Sequence, residues 1–149
     1  MKPAVAEVPK TAGALDLIFR PASIAIVGLS RTAIDAPISV LTNLKAYGYR
    51  GEVYIINARL PADAERKVYP SLGDVPVPVD LAIVSLGRDR VLGALEDCVG
   101  AGIRAAIVIT QGFADADAEG ARLQAEMVAL TKAHDLRILG PNTIGVANA

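Results

Sequence analysis

The sequence contains no tryptophan, one cysteine and one histidine, and these shortages exclude several kinds of site. Cys98 alone cannot form an internal disulfide, and with His134 as the only histidine no metal site of the Cys/His type can be assembled. Lys and Arg total 15 against 16 Asp and Glu, and the basic residues are scattered along the chain. We therefore expect no nucleic-acid partner and no basic membrane-binding face, so any bound anion must be held by local geometry.

Long apolar runs are also missing. No stretch approaches the roughly 20 apolar residues of a membrane span, and the first 14 residues lack the apolar run of a secretion signal. We expect a cytoplasmic protein with a loose N-terminal arm at residues 1–14 and one domain over residues 15–149. A chain of this length can bury roughly two thirds of the surface that it exposes when unfolded.

Short apolar runs, by contrast, are abundant. Hydrophobic residues make up 52% of the sequence and aromatic residues only 4%, so the core must consist of Val, Ile, Leu and Ala, as in a parallel sheet covered by helices. The pattern predicts five buried strands, at residues 23–27, 53–56, 81–86, 105–110 and 136–139. Helical periodicity between the strands indicates an α/β fold, a Rossmann-like three-layer domain with a five-stranded parallel sheet.

The positions of proline predict where the first helix begins and how the second strand is connected to the third. The helix is predicted to begin near Pro37, with Asp35 or Ala36 as its cap, and to end at Gly48. Residues 60–80 contain four prolines. We therefore expect a mostly irregular connection between the second and third strands.

The two later helices have regular apolar faces. One places Val91 and Cys98 on the same side, so Cys98 is predicted to be a small core residue. The other begins near Asp117 and directs Met127 inward, and His134 follows on the same side near the end of that helix. A capping or packing role is therefore expected for His134.

No catalytic group is predicted. Neither Cys98 nor His134 is paired with an acid or a base in the sequence. The acidic residues Asp115, Asp117 and Glu119 are interpreted as the favourable negative charge at a helix start rather than as a metal site.

Ligands of parallel α/β sheets bind at the carboxyl ends of the strands, beside the first strand. After the first strand, Gly28 permits a tight turn, Ser30 and Thr32 offer hydroxyl groups, and the loop amides lead toward a helix. These features favour phosphate binding. For this loop alone, an ordinary strand-to-helix turn is the alternative interpretation.

The residue types after the first two strands disfavour NAD. Of the G-x-G-x-x-G fingerprint, only the first glycine, Gly28, has a counterpart. The second strand is followed by Asn57 and Arg59, where an NAD enzyme usually has an acid for the ribose hydroxyls. A cation at this point suits a phosphate on the ribose, as in coenzyme A or NADP, although Arg59 could also be a solvated loop residue.

Small and polar residues follow the later strands as well. Ser85 and Thr110 could support an extended ligand lying across the end of the sheet. Asn142, after the last strand, is expected to be a scaffold residue that bonds the backbone of a neighbouring loop.

Four segments of the sequence, residues 17–31, 68–84, 109–113 and 140–145, together resemble the N-terminal CoA-binding domain of the NDP-forming acyl-CoA synthetases. These enzymes are relatives of the succinyl-CoA synthetase α-subunit, and the resemblance extends over about residues 15–149. It implies coenzyme A as the ligand. The contacts that it implies fall on the loops after four strands, at Gly28, Ser30, Arg31, Thr32, Asn57, Arg59, Ser85, Leu86, Ile109, Thr110 and Gln111.

The resemblance also implies that thioester formation requires further domains or subunits, namely a domain with a phosphorylated histidine and an ATP-grasp domain. The chain alone would then bind coenzyme A without catalysing a reaction. Two other functions remain open at this point. One is an NADP-binding oxidoreductase fragment, and the other is a free-standing CoA-sensing regulatory domain.

Overall fold

The computed structural model describes residues 13–34, 36 and 39–147. Its strands are β1 (Ser23–Val27), β2 (Glu52–Ile56), β3 (Val68–Tyr69), β4 (Leu81–Val84), β5 (Ala105–Val108) and β6 (Arg137–Leu139). Its helices are α1 (Ala14–Phe19), α2 (Arg31–Ile34), α3 (Val40–Ala46), α4 (Arg88–Gly100) and α5 (Ala118–Ala133), with a 3-10 turn at Leu72–Asp74.

The six strands form one parallel sheet in the order β3-β2-β1-β4-β5-β6. This is the Rossmann order, and it reverses between β1 and β4. The last residues of the central strands are in register, since Val27 lies beside both Ile56 and Val84, and Val84 lies beside Val108. The loops that leave these strands therefore start at one edge of the sheet, which we call the carboxyl edge.

Helices cover both faces of the sheet. On one face, α4 contributes the fully buried Val91, Leu95 and Cys98 to a core that also contains Met127 of α5. On the other face, α1 and α3 contribute a smaller set of aliphatic residues, including Leu41. Because both faces are covered, every residue of β1 and β4 is buried, which explains why these strands have continuous rather than alternating apolar sequences.

The Rossmann-like α/β class and all five predicted strands are confirmed, but the sheet has six strands. The additional strand, β3, has two residues and pairs with β2, and its Val68 also forms an antiparallel bridge with Asp63, all within the proline-rich crossover that was predicted to be mostly irregular. A two-residue edge strand is too short to produce a recognisable period. β4 and β5 also end two residues before their predicted ends, because the chain has already turned into the loops at Ser85 and Ile109.

The predicted start of the first helix is wrong. α3 begins at Val40, with Ser39 as its cap: the Ser39 hydroxyl accepts the Thr42 N–H at 3.2 Å and the Thr42 hydroxyl accepts the Ser39 N–H at 2.7 Å. This reciprocal capping box satisfies two amides that a helix start would otherwise leave unpaired. Asp35 and Pro37 lie outside the described residues, and the predicted end at Gly48, which has φ +77°, is confirmed.

Residues 1–12 of the predicted N-terminal arm also lie outside the described residues, so the boundary of the domain stays a prediction. Ala14, its last residue, begins α1, a helix that the sequence did not predict. α2 is likewise new, a single turn directly after the loop that follows β1.

The predicted burial of Cys98 and the capping position of His134 are confirmed, but the predicted orientation of the His134 side chain is not. Cys98 is fully buried, as predicted, and burial raises the pKa of its thiol to about 12. His134 is the C-cap of α5, and its backbone N–H donates to the Leu130 carbonyl at 3.1 Å. Its side chain is exposed, so the expected inward orientation is wrong, because the chain is already extended at this residue and the helical period no longer applies.

Within the described ranges, no helix is long and apolar enough to cross a membrane.

Candidate functional site

Gly28 brings the loop after β1 into direct contact with the loop after β4. Its φ is +97°, and a Cβ at this position would lie 2.3 Å from the Ser85 carbonyl oxygen and 2.5 Å from Leu86 Cδ2. Its N–H donates to the Ile56 carbonyl at 3.1 Å, which also links it to the end of β2. Only glycine satisfies both the dihedral angle and the close approach.

The loop after Gly28 presents hydroxyl groups on the surface. Ser30 Oγ lies 3.0 Å from Thr32 Oγ1 and accepts the Ala33 N–H at 3.2 Å. Ser30, Arg31 and Thr32 are all exposed. The predicted phosphate loop is therefore open to solvent, and its two hydroxyls are close enough to contact one anion together.

Asn57 connects this loop to the loop after β2. Its Nδ2 donates to the Leu29 carbonyl at 2.9 Å, and its Oδ1 accepts the Arg59 N–H at 2.9 Å. Arg59 itself is exposed. Among the residues that the structure describes, the guanidinium groups of Arg59 and Arg31 have no ion-pair partner, so both cations are available to an anionic ligand.

The ends of β4 and β5 are joined by a side chain. Thr110 Oγ1 donates to the Leu86 carbonyl at 2.8 Å, and the Ile109 N–H donates to the Val84 carbonyl at 3.1 Å. Leu86 and Ile109 are half-buried and pack against the two cores. Their backbones face the carboxyl edge as part of a rigid support.

Ser85 and Gln111 provide the exposed polar side chains of these two loops. Nine of the eleven residues predicted for the site thus lie on the four loops of the carboxyl edge, and Arg31 and Thr32 begin α2 directly after the first of these loops. Their contact with a ligand stays a prediction, and their positions divide them into two groups. One group holds the loops together and consists of Gly28, Asn57, Leu86, Ile109 and Thr110, whereas the other faces solvent and consists of Ser30, Arg31, Thr32, Arg59, Ser85 and Gln111.

Arg88, which sequence reasoning missed, supports the loop after β5. Its Nη1 donates to the Gly112 carbonyl at 2.8 Å and lies 2.9 Å from both carboxylate oxygens of Asp117. Asp117 caps α5 by accepting the Gly120 N–H at 2.7 Å, and this hydrogen bond together with Arg88 holds the pKa of Asp117 below its usual value. Nothing local in the sequence pairs Arg88 with a residue 29 positions away.

The neighbouring acidic residues also have specific partners. Asp115 Oδ1 accepts the Phe113 N–H at 3.1 Å, and Glu119 forms an ion pair with Arg122. In the described part of the chain, no group of three or more potential ligands could hold a metal ion. These partners support the interpretation of the acidic residues as part of the helix start.

Asn142 connects the loop after β6 to the loop after β5. Its backbone N–H donates to the Thr110 carbonyl at 2.9 Å, and its Nδ2 lies 3.4 Å from Asp115 Oδ2. The expected link to a neighbouring backbone is thus made by the main chain of Asn142, and its side chain bonds a carboxylate instead.

Two shallow grooves lie away from the carboxyl edge. One, of about 370 Å³, lies between α5, the free edge of β6 and the start of α1. The other, of about 490 Å³, lies between α3 and the Glu65–Lys67 segment. Neither is lined by any of the eleven predicted residues.

The residues that build this surface belong to a recognised type of domain. Residues 22–149 match the family described as CoA binding domain. The chain belongs to the CoA binding domain family. The match covers the whole sheet, all four loops of the carboxyl edge and the helices from α2 to α5.

This CoA binding domain is similar to part of several larger ligases. It is 35% identical over 131 residues to acetate–CoA ligase [ADP-forming] II of Archaeoglobus fulgidus, covering 88% of this chain and 20% of that protein. It is also 35% identical over 134 residues to the alpha subunit of acetate–CoA ligase [ADP-forming] II of Pyrococcus furiosus, covering 90% of this chain and 29% of that subunit. The chain therefore spans less than a third of the length of these relatives.

A solved structure shows the same architecture. The apo form of the dinucleotide forming acetyl-coenzyme A synthetase 1 of Ca. Korarchaeum cryptofilum superimposes with a TM-score of 0.75 and 38% sequence identity. The aligned region covers 88% of this chain and 28% of that protein.

Proposed function

We propose that this domain binds coenzyme A across the carboxyl edge of the sheet and serves as the CoA-binding part of a larger ADP-forming acyl-CoA synthetase. One observation carries the proposal: the two loops joined by Asn57 present exposed hydroxyls and two guanidinium groups that lack ion-pair partners in the described structure. Membership of the CoA binding domain family and the similarity to ADP-forming ligases support it.

The phosphates of coenzyme A match the chemistry of the first two loops. The hydroxyls of Ser30 and Thr32 and the guanidinium of Arg31 would bind the pyrophosphate beside Gly28. Arg59, after the neighbouring strand, would bind the 3′-phosphate of the ribose. A hydrogen bond between an arginine and a phosphate is charge-assisted and can be bidentate, which favours Arg59 for this role.

The rest of the ligand would extend over the ends of β4 and β5. The pantetheine arm of coenzyme A carries two amides, which need both donors and acceptors. The backbone of Leu86 and Ile109, the hydroxyls of Ser85 and Thr110 and the amide of Gln111 could provide them.

Catalysis would require other parts of the protein. None of the residues at the carboxyl edge is a nucleophile with a neighbouring base, among the residues that the structure describes. We infer that a phosphorylated-histidine domain and an ATP-grasp domain, on the same chain or on partner subunits, supply the chemistry in the cytoplasm. This domain would hold the thiol-bearing ligand for them.

Isothermal titration calorimetry with coenzyme A, dephospho-CoA, NADP and NAD tests the proposal. Coenzyme A should bind most tightly. Arg59→Ala should weaken its binding by about 1.5–3 kcal/mol, the range for a hydrogen bond to a charged group, and should leave dephospho-CoA almost unaffected. Because Arg59 is exposed, the loss should be largest at low salt.

Arg50→Ala is the matched control, because Arg50 is also exposed but precedes the amino end of β2. This variant should bind coenzyme A like the unmodified chain. Binding of NADP without binding of coenzyme A would overturn the proposal and indicate an oxidoreductase fragment. Equal affinities for coenzyme A and dephospho-CoA would remove the role of Arg59.

A further inference from the structure

Each polar atom of Asn57 makes one hydrogen bond within the protein, which leaves the second N–H of its amide without a bond in the described structure. Its side chain bridges the Leu29 carbonyl and the Arg59 N–H, both at 2.9 Å. Its backbone N–H donates to the Tyr69 carbonyl at 3.0 Å, and its own carbonyl accepts the Leu60 N–H at 3.2 Å. The residue is half-buried, unlike its exposed neighbours Ala58 and Arg59.

These bonds fix the loop after β2 relative to the loop after β1. The Gly28 N–H bonds the Ile56 carbonyl at the end of the two strands, and the Asn57 amide adds one more link beyond that point. Leu29, whose carbonyl receives this link, is anchored by its side chain in the core under α3. The loop that carries Arg59 is thereby connected to the rigid part of the domain.

The bond from the Arg59 N–H to Asn57 Oδ1 closes a turn in which a side chain replaces a backbone acceptor. It fixes where the Arg59 side chain leaves the backbone. Because the backbone of Arg59 is already fixed, binding of an anion by the guanidinium costs side-chain entropy but little additional backbone entropy.

We propose that Asn57 is a positioning residue, which directs Arg59 toward the ribose 3′-phosphate of coenzyme A and does not itself bind the ligand through its amide. This inference rests on the proposed function, and it replaces the direct contact that the sequence predicts for Asn57. It assigns the preference for coenzyme A over dephospho-CoA to two residues that act together.

The test is the ratio of the affinities for coenzyme A and dephospho-CoA, measured by calorimetry on the 149-residue chain. Asn57→Ala removes both side-chain bonds and should lower this ratio about three- to tenfold, the effect expected for losing the single bond that positions Arg59. Asn57→Ser should keep most of the ratio, because a serine hydroxyl can still accept the Arg59 N–H although it is too short to reach Leu29. Asn57→Ala combined with Arg59→Ala should lower the ratio no further than Arg59→Ala alone.

Asn43→Ala is the matched control, since Asn43 is an exposed asparagine on α3, and it should leave the ratio unchanged. A similar loss of affinity for both ligands in Asn57→Ala would overturn the positioning role, because a ligand contact or a general loss of structure affects both. If Asn57→Ala does not fold, Asn57→Ser decides: a retained ratio supports the proposal, and a ratio reduced to that of Arg59→Ala overturns it. Absence of coenzyme A binding by the unmodified chain would instead contradict the proposed function, before any variant is compared.

Discussion

At the scale of single residues, Gly28 is the position in the candidate site where the backbone angle and the neighbouring atoms most strictly require glycine. Alanine at this position would adopt a φ of +97° and place its Cβ 2.3 Å from the Ser85 carbonyl oxygen. We expect Gly28→Ala to lower the free energy of unfolding by about 1–3 kcal/mol, the cost of a strained backbone conformation, and to move the loop after β4. Urea denaturation measures the first effect.

Gly93→Ala is the control for this substitution. Gly93 lies in the middle of α4, and nothing comes within 4 Å of a Cβ built there. Since alanine is the better helix former, this variant should gain about 0.5–1 kcal/mol of stability. If both substitutions changed the free energy of unfolding equally, the close contact between Gly28 and the loop after β4 would not be required for stability.

At the scale of secondary-structure elements, the start of α5 is stabilised by a charge. The Gly120 N–H and the Arg88 guanidinium both bond the Asp117 carboxylate and lower its pKa from the usual 3.8. Because the carboxylate form is favoured in the folded chain, its contribution to stability is present above about pH 4 and is lost as the pH falls through the lowered pKa. Asp117→Asn keeps a capping oxygen but should have a flatter dependence of stability on pH below 4.

Denaturation midpoints measured between about pH 2.5 and 6 test this expectation, with Glu96→Gln as the control on an exposed carboxylate of α4. The control should follow the pH dependence of the unmodified chain. Asp117→Asn should be less stable than the unmodified chain at pH 6, and this difference should shrink as the pH falls and the carboxylate becomes protonated. An unchanged pH dependence in Asp117→Asn would exclude a role for this charge in stability.

The elements that the sequence predicted well are those with a core large enough to impose a pattern. β1, β4 and β5 are covered on both faces, so each has a continuous run of apolar residues in the sequence. α4 has one apolar face, so its apolar residues recur with the helical period. β3 has two residues and α2 has four, too few for any period. The predicted start of α3 was wrong because the Ser39–Thr42 capping box begins this helix three residues after the proline at position 37.

At the scale of the whole molecule, strand order explains why the sequence could place the candidate residues at one edge of the sheet. It could not predict the hydrogen bonds that hold their loops together. Parallel strands in register bring the loops after β1, β2, β4 and β5 to one edge, so residues after the strands are candidates without knowledge of any contact. The bonds between these loops join residues far apart in the sequence. Asn57 bonds Leu29 and Arg88 bonds Gly112, at separations of 28 and 24 residues, and no local pattern predicts such pairs.

The same topology predicts where ligand binding should protect the backbone. With coenzyme A added, hydrogen exchange followed by mass spectrometry should show slower exchange in peptides covering residues 28–34, 57–60, 85–87 and 109–112. The loops at the opposite edge of the sheet, residues 47–51 and 101–104, should be unaffected and serve as internal controls. Ligand binding that stabilised the whole fold would slow exchange in the core strands as well, so the comparison is made at short times, when only local opening contributes.

This experiment also distinguishes the carboxyl edge from the two grooves. The groove beside β6 has apolar side chains in its lining, including Met127 and Ile138, and an apolar groove is ordinarily a candidate site for a small ligand. Coenzyme A carries three phosphates, and cations are present at both places: Lys132 and Arg137 line the groove, whereas Arg31 and Arg59 belong to the proposed site. Protection of residues 124–138 without protection of residues 28–34 would place the ligand in that groove and contradict the site proposed for this domain.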